Sequence, residues 1–268
     1  MWSCSFVSTL FPAASFGELV QIARRLGAQG LEPRLGARHA HGLELAAGPD
    51  ERRAIRDALA QGGVTVSDIG SPGHIGESPA SDFAAYARLA TDVGARGIRV
   101  FYDDPKEGEE HARWVDRIRA GLRAVEAELG ADAARLWVEN HGASSRSDAI
   151  AEIGGDAVGV VWDVAHSASA GEGVEESWRG FGRRVRHVHV KDWRKNPDGS
   201  WARAVPLFDG DLPITDALAL LVRVGYAGFV SAEVPPARGE DDVSRLVAAR
   251  KKIAAADRAV AAATGAGA

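Results

Sequence analysis

A short phrase, Gly-x-x-Gly followed by an apolar residue, occurs three times: at Gly27/Gly30/Leu31, Gly94/Gly97/Ile98 and Gly225/Gly228/Phe229. Each copy follows an amphipathic stretch and leads into an apolar one. That is how a helix closed by a left-handed glycine hands the chain to a strand. The copies lie 67 and 131 residues apart in a chain of 268. These intervals are close to two and four units of about 33 residues, and eight such units fill the chain.

Strand and helix alternate along the whole length. Strands are expected at Trp2–Val7, Gln29–Glu32, Val64–Ile69, Gly97–Tyr102, Arg135–Glu139, Val158–Trp162, Val185–Val190 and Phe229–Glu233. The first helix starts after the capping-box pair Ser15 and Glu18 and runs through Phe16, Leu19, Val20, Ala23 and Leu26. Further helices are expected at about 50–61, 81–94, 107–129, 145–152, 175–183, 213–224 and 240–260. Such an α/β order suits either an open doubly wound sheet or a closed barrel. No G-x-G-x-x-G follows the first strand, and polar residues end many strands instead of gathering at one crevice. The expectation is therefore a single (β/α)8 TIM barrel over 1–268, with an Ala/Gly-rich tail at 254–268 ending in a frayed helix.

Composition narrows the function classes. A net charge of -5 with no long Lys/Arg block argues against nucleic acid as a partner. No apolar run reaches the roughly 18 residues of a membrane span. The single cysteine, Cys4, cannot form an intrachain disulfide, and no Lys or Arg precedes Arg24 in an N-terminal stretch that Pro12 interrupts. Export is not expected, and cytoplasm is the simplest location.

The chemistry-bearing residues lie at strand ends. Glu139 closes Arg135-Leu-Trp-Val, Asp163 closes Val-Val-Trp, His189 sits in Val-His-Val, and Glu233 follows Val-Ser-Ala. In a parallel barrel these ends converge on one mouth. Three carboxylates so close would repel unless a cation lies among them. Three oxygen donors and one nitrogen, without thiolate, suit Mn²⁺ first and admit Mg²⁺, Co²⁺ or Zn²⁺.

Trp162-Asp163-Val-Ala-His166, His187-Val-His189-Val-Lys191-Asp192 and Gly225-Tyr-Ala-Gly228-Phe-Val-Ser-Ala-Glu233 resemble the D-x-x-H, H-x-H-x-K-D and closing G-y-x-G-x-x-x-x-E motifs of the xylose isomerase-like TIM-barrel group. That group contains sugar isomerases and epimerases, inosose and 3-dehydroshikimate dehydratases, and endonuclease IV. The resemblance implies one divalent metal held by Glu139, Asp163, His189 and Glu233, with the two glutamates also handling protons. It implies a substrate contact or proton relay for His166. Ketose 3-epimerases and hydroxypyruvate isomerases usually carry Glu-Pro after strand five, whereas this chain has Glu139-Asn140-His141-Gly142.

A metal on adjacent hydroxyl and carbonyl oxygens of a sugar-like substrate acidifies the carbon-bound proton and stabilises the enediolate. Glu139 and Glu233 can then move protons between faces or neighbouring carbons, giving an isomerase or epimerase of a sugar or polyol-derived ketone. Expulsion of a β-hydroxyl from the same enediolate makes a dehydratase, the alternative. Others are a catalytic chain of a complex acting on a larger glycoside, a barrel that binds without catalysis, and an endonuclease IV-like phosphodiesterase. The last needs further histidine ligands, and Phe101-Tyr102-Asp103 offers none.

His74, His141 and Lys191 are expected substrate contacts at the mouth. Glu32 and Arg34 rank lower, Arg99 has no assignable direction, and Asp192 can orient His187 or cap a turn. Arg194–Asp211, with the turn signal Asp198-Gly199 and Trp193, Trp201 and Phe208 around it, reads as a lid or a packed loop. Helices on the outside of such barrels often form dimers, so a homo-oligomer is a further expectation.

Overall fold

In the computed structural model, which describes all residues except 37–38, 156–157, 234–238 and 265–268, local chemistry sets the frame from the first helix onward. Strand β1 (Ser3–Phe6) leads to α1 (Phe16–Leu26). The Ser15 hydroxyl accepts from Glu18 N at 3.3 Å, and the Glu18 carboxylate accepts from Ser15 N at 2.7 Å. Gly27, at φ 81°, closes the helix, and Gly94 (φ 71°) and Gly225 (φ 70°) repeat that ending. The second glycine of each phrase answers a different need. A Cβ at Gly30 would stand 2.6 Å from the Phe229 ring, and one at Gly97 would run into Trp137.

The other elements follow in chain order: β2 (Gly30–Leu31), α2 (Pro49–Gly62), β3 (Thr65–Val66), β4 (Ile69–Ile75), α3 (Ala80–Val93), β5 (Ile98–Tyr102), α4 (His111–Leu129), β6 (Leu136–Glu139), α5 (Ser147–Gly154), β7 (Gly159–Asp163), α6 (Val164–Ser169), α7 (Val174–Phe181), β8 (Val185–Val190), β9 (Asp192–Lys195), β10 (Trp201–Val205), α8 (Ile214–Arg223), β11 (Phe229–Ala232) and α9 (Gly239–Thr264). Seven strands form a sheet in the order β1-β11-β8-β7-β6-β5-β4, with every pair parallel. The parallel pair β2-β3 fills the gap. Bridges Val7↔Glu32 and Arg34↔Gly70 join β2 to its two neighbours, closing the ring. This is a (β/α)8 barrel.

Helices cover the outside, so the strands are buried on both faces. Every residue of β5, β6, β7 and β11 is buried. The expected strand Val64–Ile69 is instead split at Ser67 and Asp68. Ser67 N donates to Leu31 O (3.0 Å) while Ile69 N donates to Gly97 O (3.0 Å), so the chain changes partner from β2 to β5 at this point. β4 then runs on to Ile75 through Pro72, which sits in a register shift between Gly70 and His74 where no ladder N–H is required.

The excursion at 194–211 contains the antiparallel hairpin β9–β10, with Gly199 at φ 83° in its turn. Asp192 anchors it: the carboxylate accepts from the backbone N–H of Trp193, Phe208, Gly210 and Leu212 at 2.9 to 3.3 Å. Its role is to cap the excursion and not to orient His187, which meets other partners. Among the described residues, no helix is long and apolar enough to cross a membrane.

Candidate active site

Glu139 is the last residue of β6, Asp163 the last of β7, and Glu233 follows β11. His189 lies in β8 directly opposite Asp163 and Ser231 in the two neighbouring strands. Their ligand atoms all lie within 4.8 Å of one another. His189 Nδ1 is 3.4 Å from Glu139 Oε1 and 3.6 Å from Glu233 Oε2. Glu139 Oε2, Asp163 Oδ2 and His189 Nδ1 are buried without a hydrogen-bond partner. The two carboxylate oxygens face the charged groups of Arg99 and Lys191 instead, and four donor side chains this close together are what a cation site requires.

Asp163 does two things with two oxygens. Oδ1 caps α6, accepting from His166 N at 2.9 Å, while Oδ2 faces Lys191 Nζ at 2.8 Å. Its main chain is clamped by Asn140, whose Oδ1 accepts from Asp163 N (2.6 Å) and whose Nδ2 donates to Asp163 O (3.1 Å). The residue that distinguishes this chain from the Glu-Pro pattern thus fixes the ends of β6 and β7 relative to each other.

The cluster carries its own countercharges. Lys191 Nζ donates to Glu233 Oε2 at 3.0 Å and to His166 Nε2 at 3.2 Å. Arg99, fully buried and pointing inward, places Nε 3.1 Å from Glu139 Oε2 and donates from Nη1 to Ser71 O. Burial works against a charged Glu139, yet Arg99 and His189 hold its carboxyl below the usual carboxylate range. Burial likewise opposes a charged Asp163, and Lys191 and His166 outweigh it. Burial opposes a charged His189, but Glu32, Glu233 and Glu139 hold its pKa well above the ordinary value. For Lys191, burial is overcome by Asp163 and Glu233 and the pKa is raised. Burial holds His166 below its ordinary value, in keeping with a ring nitrogen that accepts from Lys191.

Above the cluster, rings form a wall: His74 to Phe101 (5.1 Å), Phe101 to His141 (5.1 Å), His141 to His166 (4.6 Å) and His166 to Trp193 (5.9 Å). His74, His141, His166 and Lys191 thus come together at the mouth. The Arg99 guanidinium lies 4.2 Å from the Phe101 centroid and that of Arg34 lies 5.9 Å from it.

Below the cluster is a second polar layer, invisible as a set in the sequence. Glu32, Asp68 and His187 join the inner side of His189, and all four are buried. Asp68 lies just past the end of β3, where the chain changes partner. An Asp within an apolar strand pattern was the available signal. Arg99 gave a similar one, an arginine between Ile98 and Val100 in a strand buried on both faces.

The xylose isomerase-like TIM barrel family matches residues 20–260. No curated protein matches by sequence. Solved structures share the fold at low identity. One is a probable 3-DHS dehydratase of Bacillus anthracis, 20% identical, with 91% of this chain and 96% of that one covered at a TM-score of 0.69. A 3-keto-D-glucoside 4-epimerase of E. coli is 15% identical, with 94% and 100% covered at 0.71. The IOLI protein, solved with a zinc atom bound, is 12% identical, with 93% and 95% covered at 0.74. The closed eight-unit barrel and the match over 20–260 place this chain in the xylose isomerase-like TIM barrel family.

Proposed function

We propose that the chain is a divalent-metal-dependent enzyme that transfers protons on a small sugar-like or polyol-derived ketone, as an isomerase or epimerase. The observation that carries this reading is the convergence of Glu139, Asp163, His189 and Glu233, whose ligand atoms lie within 4.8 Å of one another with the first three residues buried. When bound there, the ion would polarise the substrate carbonyl and ease loss of the proton on the adjacent carbon. The oxygen-rich donor set favours Mn²⁺.

The chain's own groups supply the rest. Glu139 and Glu233 stand on two sides of His189 Nδ1, so one can take a proton from carbon and the other return it at a different face or carbon. Arg99 fixes Glu139, which is 3% exposed, whereas Glu233, at 21%, stands nearer the opening. Lys191, between Glu233 and His166, can give a proton to a substrate oxygen. The ring wall from His74 to Trp193 supplies an apolar face for a small substrate.

A dehydratase is the second reading, favoured by the Lys191–His166 contact: a departing hydroxyl needs a proton, and this pair stands beside Glu233 to provide it. One experiment separates the readings. Purified protein is reconstituted with Mn²⁺, its metal measured, and a panel of ketoses and inososes incubated with it in D₂O. Deuterium beside the ketone without loss of water supports the isomerase, and loss of water supports the dehydratase. Failure to retain any divalent ion sinks both.

A further inference from the structure

We infer that Glu32 is a positioning residue that commits His189 to present Nδ1, and not Nε2, to a metal ion, an inference that rests on the metal-centred reading above. Glu32 follows β2 and is fully buried, with Oε2 2.9 Å from His189 Nε2. A carboxylate can only accept, so the imidazole must place its N–H on Nε2. A neutral ring carries one N–H, and its lone pair is then on Nδ1, the atom that faces Glu139 and Glu233.

The layer beneath holds Glu32 in place. His187 Nε2 lies 3.3 Å from the same oxygen of Glu32 and 2.9 Å from Ser231 Oγ, which pairs with Ser5 Oγ at 2.7 Å. On the other side of His187, Nδ1 is 3.5 Å from Asp68 Oδ1, which accepts from Ser67 Oγ at 2.9 Å. Glu32 alone of the two acids touches His189. Asp68 shares the layer and its burial but reaches only His187. The two acids can therefore be told apart by experiment: a general need for negative charge at this depth would make them equivalent, whereas positioning of His189 makes Glu32 special.

The test uses the full chain loaded with Co²⁺, with affinity read by chelator competition and the ligand histidine read by paramagnetically shifted NMR. Wild type is expected to bind one Co²⁺ per chain and to show one shifted, exchangeable histidine N–H, assigned to Nε2 of His189. Glu32→Gln is expected to lower affinity by about 10- to 100-fold, the usual scale for an outer partner of a ligand histidine, and to move or broaden that resonance. Asp68→Asn, folded to the same degree by circular dichroism, is expected to stay within a few-fold of wild type. Equal losses in the two variants, or wild-type affinity in Glu32→Gln, would overturn the assignment while leaving the metal centre standing. Two equivalents of Co²⁺ in wild type, the second lost in Asp68→Asn, would make Glu32 a ligand and overturn it too. If wild type binds no Co²⁺, the metal centre falls with it. Should Glu32→Gln fail to fold, the wild-type spectrum still decides, because ligation through Nε2 refutes the inference directly.

Discussion

The two oxygens of Asp163 allow its structural and ligand roles to be separated. Asp163→Asn keeps an acceptor for His166 N, now 2.9 Å from Oδ1, so the cap of α6 survives. The amide must then turn its NH₂ toward Lys191 Nζ, which stands 2.8 Å from Oδ2. A group with two donors facing the cluster cannot coordinate a cation. Asp163→Ala loses both functions. The cap favours Asp163→Asn over Asp163→Ala by about 1 kcal/mol, or roughly 2–4 °C in Tm for a chain of this size, and comparing them in the Lys191→Met background removes the donor clash with Lys191 from the difference. Both should lose bound metal, by more than the 10- to 100-fold typical of an outer partner. Thermal unfolding of the metal-free proteins gives the first quantity and metal titration the second. Wild-type metal affinity in Asp163→Asn would refute the division of labour. So would equal metal-free stability of the two variants in the Lys191→Met background, which would mean that the 2.9 Å contact does not cap α6.

Glu139→Gln and Glu233→Gln keep an oxygen donor but remove the base, so metal binding should weaken only partly while turnover falls on the order of 10²-fold; His166→Asn should hurt turnover with metal retained. If Glu233→Gln exchanges the substrate α-proton at the wild-type rate with metal bound, a two-base mechanism must be abandoned. Asn140→Ala leaves Asp163 N and O without their side-chain partners and should cost on the order of 1–3 kcal/mol in urea unfolding; no change in the urea midpoint would show that the clamp is dispensable. His41 supplies a pH prediction: burial and His39 push its pKa down from 6.5 to about 4, and Nδ1 accepts from Leu43 N at 3.1 Å. Because the folded value is depressed, stability is full above pH 6.5 and lost as pH falls from 6.5 toward 4, amounting to about 2 kcal/mol at pH 5. In metal-free protein His41→Asn, which keeps the acceptor, should flatten Tm between pH 7.5 and 5 relative to wild type, and an unchanged slope would exclude His41 as the source.

What was legible in the sequence was what strand ends and helix ends announce. Glu139, Asp163 and Glu233 each interrupt an apolar run where a strand should stop, so the sequence carries their charge and their place together. His187 and His189 alternate with valine, and both do point inward. Direction was not legible for Arg99, because a strand covered by helices outside and filled inside shows no polar and apolar alternation to tell its faces apart. Asp68 was hidden for another reason: the chain changes hydrogen-bonding partner there, and the change depends on Leu31 O and Gly97 O, both distant in sequence. The pairing of Lys191 with Asp163 and Glu233 was also beyond reach, since Lys191 is simply the next residue after a strand until the barrel closes around it.

The depth at which these groups sit explains why the cluster can be both charged and buried. Side chains two residues apart on an inward-facing strand lie in successive layers of the barrel, so His187 and His189 put one imidazole in each. In the upper layer, three carboxylates meet Lys191 and Arg99. In the lower one, Glu32 and Asp68 meet His187, and burial together with the charge of Glu32 pushes Asp68 up to about 6. His189 joins the layers, with Nε2 on Glu32 and Nδ1 on the upper carboxylates, and although burial opposes its charge, Glu32, Glu233 and Glu139 raise its pKa. A divalent ion held by Nδ1 would need that nitrogen free of a proton. An ion there would compete for the carboxylate oxygens with Lys191, 2.8 Å from Asp163 Oδ2 and 3.0 Å from Glu233 Oε2, and with Arg99, 3.1 Å from Glu139 Oε2.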